Sequence, residues 1–207
     1  MYELDTKLAS EADKRNSRIT KTGPYSGTII RAVAIPPNAN GTRGIEIEFK
    51  ADGGETDRLP LYTHKGNGEG LPSLKVVNAI MTCAKVRSLT EKPATVKRWD
   101  REAQAEVDKQ VNVYPELEGK PMGLLIEMEE SEYDGKVRNR PVLVGAYEPS
   151  GRFMASEILA KATKPTQLDK FIATLRDRSQ LGRRGGTPAA ANNGSPKAIE
   201  FDDDIPF

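Results

Sequence analysis

Apolar and charged residues alternate strictly in Ile45-Glu46-Ile47-Glu48-Phe49, the clearest strand pattern in the chain. A period of two puts Ile45, Ile47 and Phe49 toward a core and Glu46, Glu48 and Lys50 outward. Residues 25–35 (Tyr-Ser-Gly-Thr-Ile-Ile-Arg-Ala-Val-Ala-Ile) are rich in β-branched side chains and stop at Pro36-Pro37, which predicts an earlier strand. Gly27 within it predicts a bulge or sharp coil. The connection 36–44 is dense in turn residues. Asp52-Gly53-Gly54 is a hairpin signal, and a third strand follows over 56–63, with Leu59 and Leu61 inward and Arg58 and Tyr62 outward. Three such strands in succession predict an antiparallel meander.

After the glycine-rich loop 64–70 the period changes. Pro72-Ser73 starts a helix that sets Leu74, Val77, Ile80, Met81 and Ala84 on one face. The section 85–119 has the least regular pattern and reads as an insertion. Strand patterns return over 121–129 and 137–147, around the turn Glu132-Tyr133-Asp134-Gly135, a strong hairpin cue. A last helix is predicted over 165–178, with Leu168, Phe171, Ile172 and Leu175 on one side. Three strands, a helix, an insertion and two strands resemble the OB-fold, a five-stranded Greek-key barrel. That fold binds oligonucleotides on the face of its strands 2–3 and through the loops joining strands 1–2 and 4–5. Those loops are here 36–44 and 130–136.

The predicted organisation is mainly β: a flexible N-terminal arm over 1–22, one domain over 23–180 with the insertion 85–119, a disordered linker over 181–198 and an acidic tail over 199–207. One cysteine excludes an intrachain disulfide framework. No apolar run approaches the ~18 residues that cross a membrane, and the first residues lack a secretory apolar region, so cytoplasmic residence and no membrane partner are expected. The net charge of +1 conceals an asymmetry. Glu200, Asp202, Asp203 and Asp204 contribute −4, which leaves +5 on the residues before them. A basic body with an acidic appendage suits a polyanionic partner for which the appendage competes.

Ile199-Glu-Phe-Asp-Asp-Asp-Ile-Pro-Phe207 is a poor core element, because its charges resist burial. It follows a Gly/Ala/Asn/Pro-rich stretch whose composition predicts a tether. The segment Phe201–Phe207 resembles the C-terminal tip of bacterial single-stranded DNA-binding proteins. The body does not share that family's short opening domain, and its element order looks more like the single-stranded DNA-binding proteins encoded by bacteriophages; host-cell cytoplasm is then the expected location. The resemblance implies sequence-independent coating of single-stranded DNA during replication, recombination and repair. It also implies recruitment of enzymes (helicase, primase, polymerase or exonuclease) through Asp202, Asp203, Asp204, Ile205, Pro206 and Phe207. A homo-oligomer is compatible with this reading.

Binding of this kind needs cations along the phosphates and flat surfaces for the bases. Trp99 lies where Lys85, Arg87, Lys92, Lys97, Arg98 and Arg101 outnumber Glu91 and Asp100. It either stacks a base or anchors the insertion. Tyr62 beside Arg58 is a second stacking candidate. Tyr133 and Lys136 stand at the tip of the last hairpin, with Arg138 and Arg140 following. The parity of these arginines matches Val142 and Val144, expected inward, so a bulge at Pro141 or a misassigned face is implied. Arg43 and Lys65 are further phosphate candidates. Glu46 and Glu48 stand on the expected binding face and would repel phosphate, which points to a DNA path displaced toward the hairpin and insertion.

Catalytic alternatives have little material. His64 is the sole histidine, which leaves almost nothing for a His-based metal site or triad. Cys83 reads as a small buried hydrophobe. Glu127, Glu129 and Glu130 read as a solvated strand face rather than a magnesium site, and 66–70 lacks the lysine-serine ending of a P-loop. The chain is therefore expected to be no enzyme and to carry no cofactor or metal. Two rivals remain: an annealing or recombination-mediator protein, and a tail-based adaptor that does not touch DNA.

Overall fold

The computed structural model describes the backbone of residues 18–100, 102–133 and 136–179, and their side chains except at 131–133, 136 and 179. Residues 1–17, the predicted linker and the acidic tail lie outside the described residues.

The predicted meander forms as β1 (Gly23–Ile35), β2 (Arg43–Ala51) and β3 (Thr56–His64), all antiparallel. Ile45, Ile47 and Phe49 are buried on β2, and Leu59 and Leu61 on β3, as period two requires. Each such side chain, fully buried, contributes ~1.5–3 kcal/mol. The hairpin between β2 and β3 turns at Gly54, whose φ of 96° an L side chain tolerates poorly. Gly27 has a different task from the one expected. A Cβ there would lie 2.1 Å from the Lys50 carbonyl oxygen, so Gly27 permits close backbone approach. The bulge of β1 comes later, where Ile30 drops out of register between Ile29 and Arg31.

Helix α1 (Ser73–Cys83) buries Val77, Ile80 and Cys83 against the same core. Two long strands follow the insertion, β6 (Pro121–Tyr133) and β7 (Lys136–Glu148), paired from Gly123–Tyr147 to Tyr133–Lys136. Met122, Leu124 and Ile126 of β6 and Leu143 and Ala146 of β7 complete the core. The main sheet runs β3-β2-β1-β6-β7, with the two-residue strand β8 (Phe153–Met154) outermost. The predicted five-stranded barrel does not close. β3 and β7 come near each other without a hydrogen-bonded ladder, and α1 packs against both strands across that seam. The result is a mainly β architecture built on an open antiparallel sheet. Among the described residues, no helix is long and apolar enough to cross a membrane.

Three expectations need correction. The section 85–119 is regular: β4 (Lys92–Asp100) and β5 (Ala105–Val113) pair over nine residues each as a second long hairpin. It joins the sheet where Val113 meets Val33 of β1. Of the two ways out of the parity conflict on β7, the misassigned face holds: Val142 and Val144, expected inward, do not face the main core, and the bulge lies at Val144 rather than Pro141. Leu125 pairs with Gly145 and Ile126 with Leu143, so Val144 is the extra residue and Leu143, not Val142, faces the core. Finally, the last helix is short. After α2 (Ala155–Leu159), α3 spans only Gln167–Ile172, and the chain then extends to β9 (Arg178–Ser179), parallel to β6.

Beyond the helix the chain lies along β6, where Arg178 pairs with the buried carboxylate of Glu127. The apolar set Leu168, Phe171, Ile172 and Leu175 nonetheless packs together, against Leu125 and Tyr147 on the outer side of β6–β7. Residues 18–22, predicted within the arm, are docked. Ile19 is in the core, Arg18 pairs with Asp57 at 3.0 Å, and the Thr22 hydroxyl accepts the Met128 N–H at 2.8 Å.

Candidate nucleic-acid interface

On the outward face of β2, Glu46 and Glu48 point away from the core as the alternation predicts, but they are not bare. Register sets Arg31 of β1 and Arg58 of β3 on either side of Glu48. Arg31 reaches one carboxylate oxygen of Glu48 at 3.3 Å and Arg58 the other at 3.3 Å. A third guanidinium arrives from the insertion. Arg98 on β4 contacts Glu46 at 2.7 Å and Glu48 at 3.2 Å, with only 17% of its side chain exposed. Three guanidinium groups against two carboxylates leave one positive charge in excess. The expected repulsion of phosphate by strand two is thus cancelled locally.

The β4–β5 hairpin has two different faces. Val96 and Arg98 turn toward the sheet, and Val96 is buried. Thr95, Lys97 and Trp99 turn to solvent, and Trp99 is 58% exposed. Across the ladder, Lys97 faces Asp108 and Trp99 faces Glu106, so the basic cluster read from 85–101 is partly offset by β5. Asp100 fixes the hairpin turn. Its carboxylate accepts the N–H groups of Glu102 and Ala103 and pairs with Lys109 at 2.8 Å. The bond from Lys109, then those from the two backbone N–H groups, hold this carboxyl down at about 2.

Tyr62 is 46% exposed on β3, opposite Gly44, which has no side chain to cover it. Arg43 opens β2 beside a groove of about 740 Å³ between the 36–42 connection and the base of β4–β5, lined also by Pro36, His64, Asn112 and Tyr114. Here the Tyr114 hydroxyl and the Asn112 amide donate to the two oxygens of Glu91, at 3.0 and 2.9 Å. Burial, then the bond and charge of Glu91, push the Tyr114 hydroxyl up to about 12 against the opposing charge of Arg43. Glu91, Asn112 and Tyr114 were missed by sequence reasoning, because nothing in 85–119 suggested that β5 returns to the first loop. Arg31 was missed because its neighbours read as core strand.

The remaining candidates are dispersed. Lys65 pairs with Glu69 at 2.8 Å within the glycine-rich loop, which His64 and Gly70 close by a bridge. Tyr133 and Lys136 are paired backbone positions at the end of the β6–β7 hairpin, and their side chains lie outside the described residues. Arg138 is exposed on β7. Arg140, with 60% of its side chain exposed, makes two contacts to the buried Glu129, at 2.7 and 2.5 Å. Glu127 and Glu129 are therefore buried and ion-paired rather than a solvated face. Cys83 is buried, and burial, then the charge of Glu148, push its thiol up to about 12, far from a nucleophile. Of the predicted contacts, the structure brings Arg58 and Arg98 together through Glu48, with Lys97 and Trp99 beside Arg98 in sequence. Asp202–Phe207 lie outside the described residues. In comparisons with known proteins, no family model and no curated protein matches the chain.

Proposed function

We propose that the chain binds single-stranded DNA without sequence preference, through an OB-type body, and presents Asp202–Phe207 to enzymes of replication, recombination and repair. The observation that carries this reading is Trp99. An indole 58% exposed, on a hairpin that the neighbouring Arg98 fastens to the sheet, has no packing role at its exposed face. Base–aromatic stacking is worth ~1–3 kcal/mol per base, and every base offers a π-face. Lys97 on the same face, and Arg58 and Arg31 on the outer face of the sheet beneath the hairpin, supply the phosphate partners. The OB assignment is supported by the order β3-β2-β1-β6-β7 with α1 placed between the third strand and the later pair. The recruiting role rests on the resemblance of the terminal segment.

Titration of the full chain with oligo-dT, followed by Trp99 emission at several salt concentrations, tests the reading. Saturable binding with a log–log salt slope of about −0.7 per phosphate contact is expected. Absence of binding at low salt overturns it.

A further inference from the structure

Glu46 and Glu48 stand on the face where a nucleic acid would lie, yet three arginines converge on them. Carboxylate and phosphate present similar acceptor geometry to a guanidinium fork. Arg31 donates an aligned hydrogen bond to Glu48 Oε2 at 3.3 Å, but the fit of Arg58 and Arg98 to the carboxylates is close in distance and poor in direction. The Oε1 atoms of Glu46 and Glu48 are shut off from solvent, and neither accepts a well-aligned hydrogen bond, although Arg98 lies 2.7 and 3.2 Å away. A carboxylate oxygen shut off from solvent without an aligned donor is costly, so these ion pairs hold the arginines less strongly than well-aligned ones would. Besides Arg98, the hairpin is tied by the β1–β5 pair Val33–Val113 and by the buried Val96, while β4 pairs only with β5.

We propose that Glu46 and Glu48 are built-in phosphate surrogates that keep Arg31, Arg58 and Arg98 engaged in the DNA-free protein. The sugar-phosphate backbone takes these arginines from the two carboxylates, and loss of the Arg98 contact unlatches β4–β5 and lets Trp99 move with the strand it stacks on. This rests on the single-stranded DNA reading given above. It assigns a phosphate track to the outer face of β1–β3 and names Arg31 as a DNA contact.

The test compares the full chain with its Glu46→Gln/Glu48→Gln variant in oligo-dT binding across salt concentrations. Removing two negative charges anywhere tightens binding somewhat, so Asp52→Asn/Glu118→Gln, at exposed positions away from the arginines, is the charge-matched control. The latch predicts binding about tenfold tighter than the control at low salt. It also predicts a log–log slope steeper by about 0.7 for each arginine released. In the DNA-free variant, the β4–β5 amides should exchange faster while those of β6–β7 do not change. Equal affinity and slope for the variant and the control overturn the latch and leave DNA binding standing. Failure of the wild-type chain and the variant alike to bind overturns the DNA reading, and the latch with it. Should the double variant not fold, Glu46→Gln alone, at the less buried carboxylate, must still exceed Glu118→Gln in affinity, or the latch is wrong.

Discussion

The two long hairpins of this chain are built on opposite principles. β6–β7 places one face in the main core through Met122, Leu124, Ile126, Leu143 and Ala146, and the other beneath Leu168 and Phe171. β4–β5 buries little more than Val96 and Val113, shows Trp99 to solvent, and touches the outer face of β2 through the Arg98 ion pairs. A hairpin clamped on both faces can carry the fold. One held mainly by its own ladder and by exchangeable charges can move, and binding elements are drawn from that low-stability end.

Stability measurements should separate the two most sharply. Leu124→Ala removes a fully buried β6 side chain, and equilibrium denaturant unfolding should show a loss of about 2–5 kcal/mol. Val107→Ala, on the half-exposed face of β5, should cost less than about 0.5 kcal/mol. Comparable losses would mean that β4–β5 belongs to the cooperative core and would end the contrast.

The same contrast decides what could be read from the sequence. β2 announced itself because one face is buried and the other charged, and β6–β7 because the apolar content of both faces is high. Nothing comparable marks β4–β5. Its alternation runs Thr95, Val96, Lys97, Arg98, Trp99 against Glu106, Val107, Asp108, Lys109, with few apolar positions to give a period. Its strands form through backbone pairing, which leaves no trace in composition. The pairing of Glu46 and Glu48 was illegible for the same reason, since it depends on where an unrecognised hairpin lands. Alternation showed which way the carboxylates point, but not what meets them. The short α3 was hidden differently: Leu168, Phe171, Ile172 and Leu175 do share a packed cluster, but the chain beyond Ile172 takes an extended path along β6, where Arg178 pairs with Glu127.

For DNA binding the ranking should reverse. Trp99→Ala should leave unfolding within about 0.5 kcal/mol of wild type and weaken oligo-dT binding by about 1–3 kcal/mol. Leu124→Ala, under conditions where it stays folded, should bind normally. A Trp99 variant of undiminished affinity would leave the exposed indole without a function.

Acid should loosen the tip of β4–β5 through Asp100. Its folded value of about 2 lies below the ~3.9 of an unfolded aspartate. The bonds to Glu102, Ala103 and Lys109 therefore stabilise the turn fully above about pH 4 and are lost as pH falls toward 2. Amide exchange at the turn, corrected for intrinsic pH dependence, should accelerate over that window, and Asp100→Asn should remove the step. A turn equally protected at pH 2 and pH 5 would show that the ladder alone holds the hairpin.

The smallest effect expected is at Lys97, and it discriminates between two roles for the exposed face of β4. If Lys97 serves the hairpin by facing Asp108, Lys97→Ala costs some stability, at most ~1 kcal/mol for a surface pair, and leaves DNA binding unchanged. If it serves the phosphate chain, stability stays as it was and the log–log salt slope shrinks by about 0.7. The second outcome is expected, because the β4–β5 ladder is continuous over nine residues whether or not these two charges meet. Asp108→Asn then provides the complementary reading. Removing the acid opposite Lys97 should strengthen binding slightly at low salt, and the gain should disappear in the Lys97→Ala background, since an acid with no lysine to compete for has only its own weak repulsion to contribute.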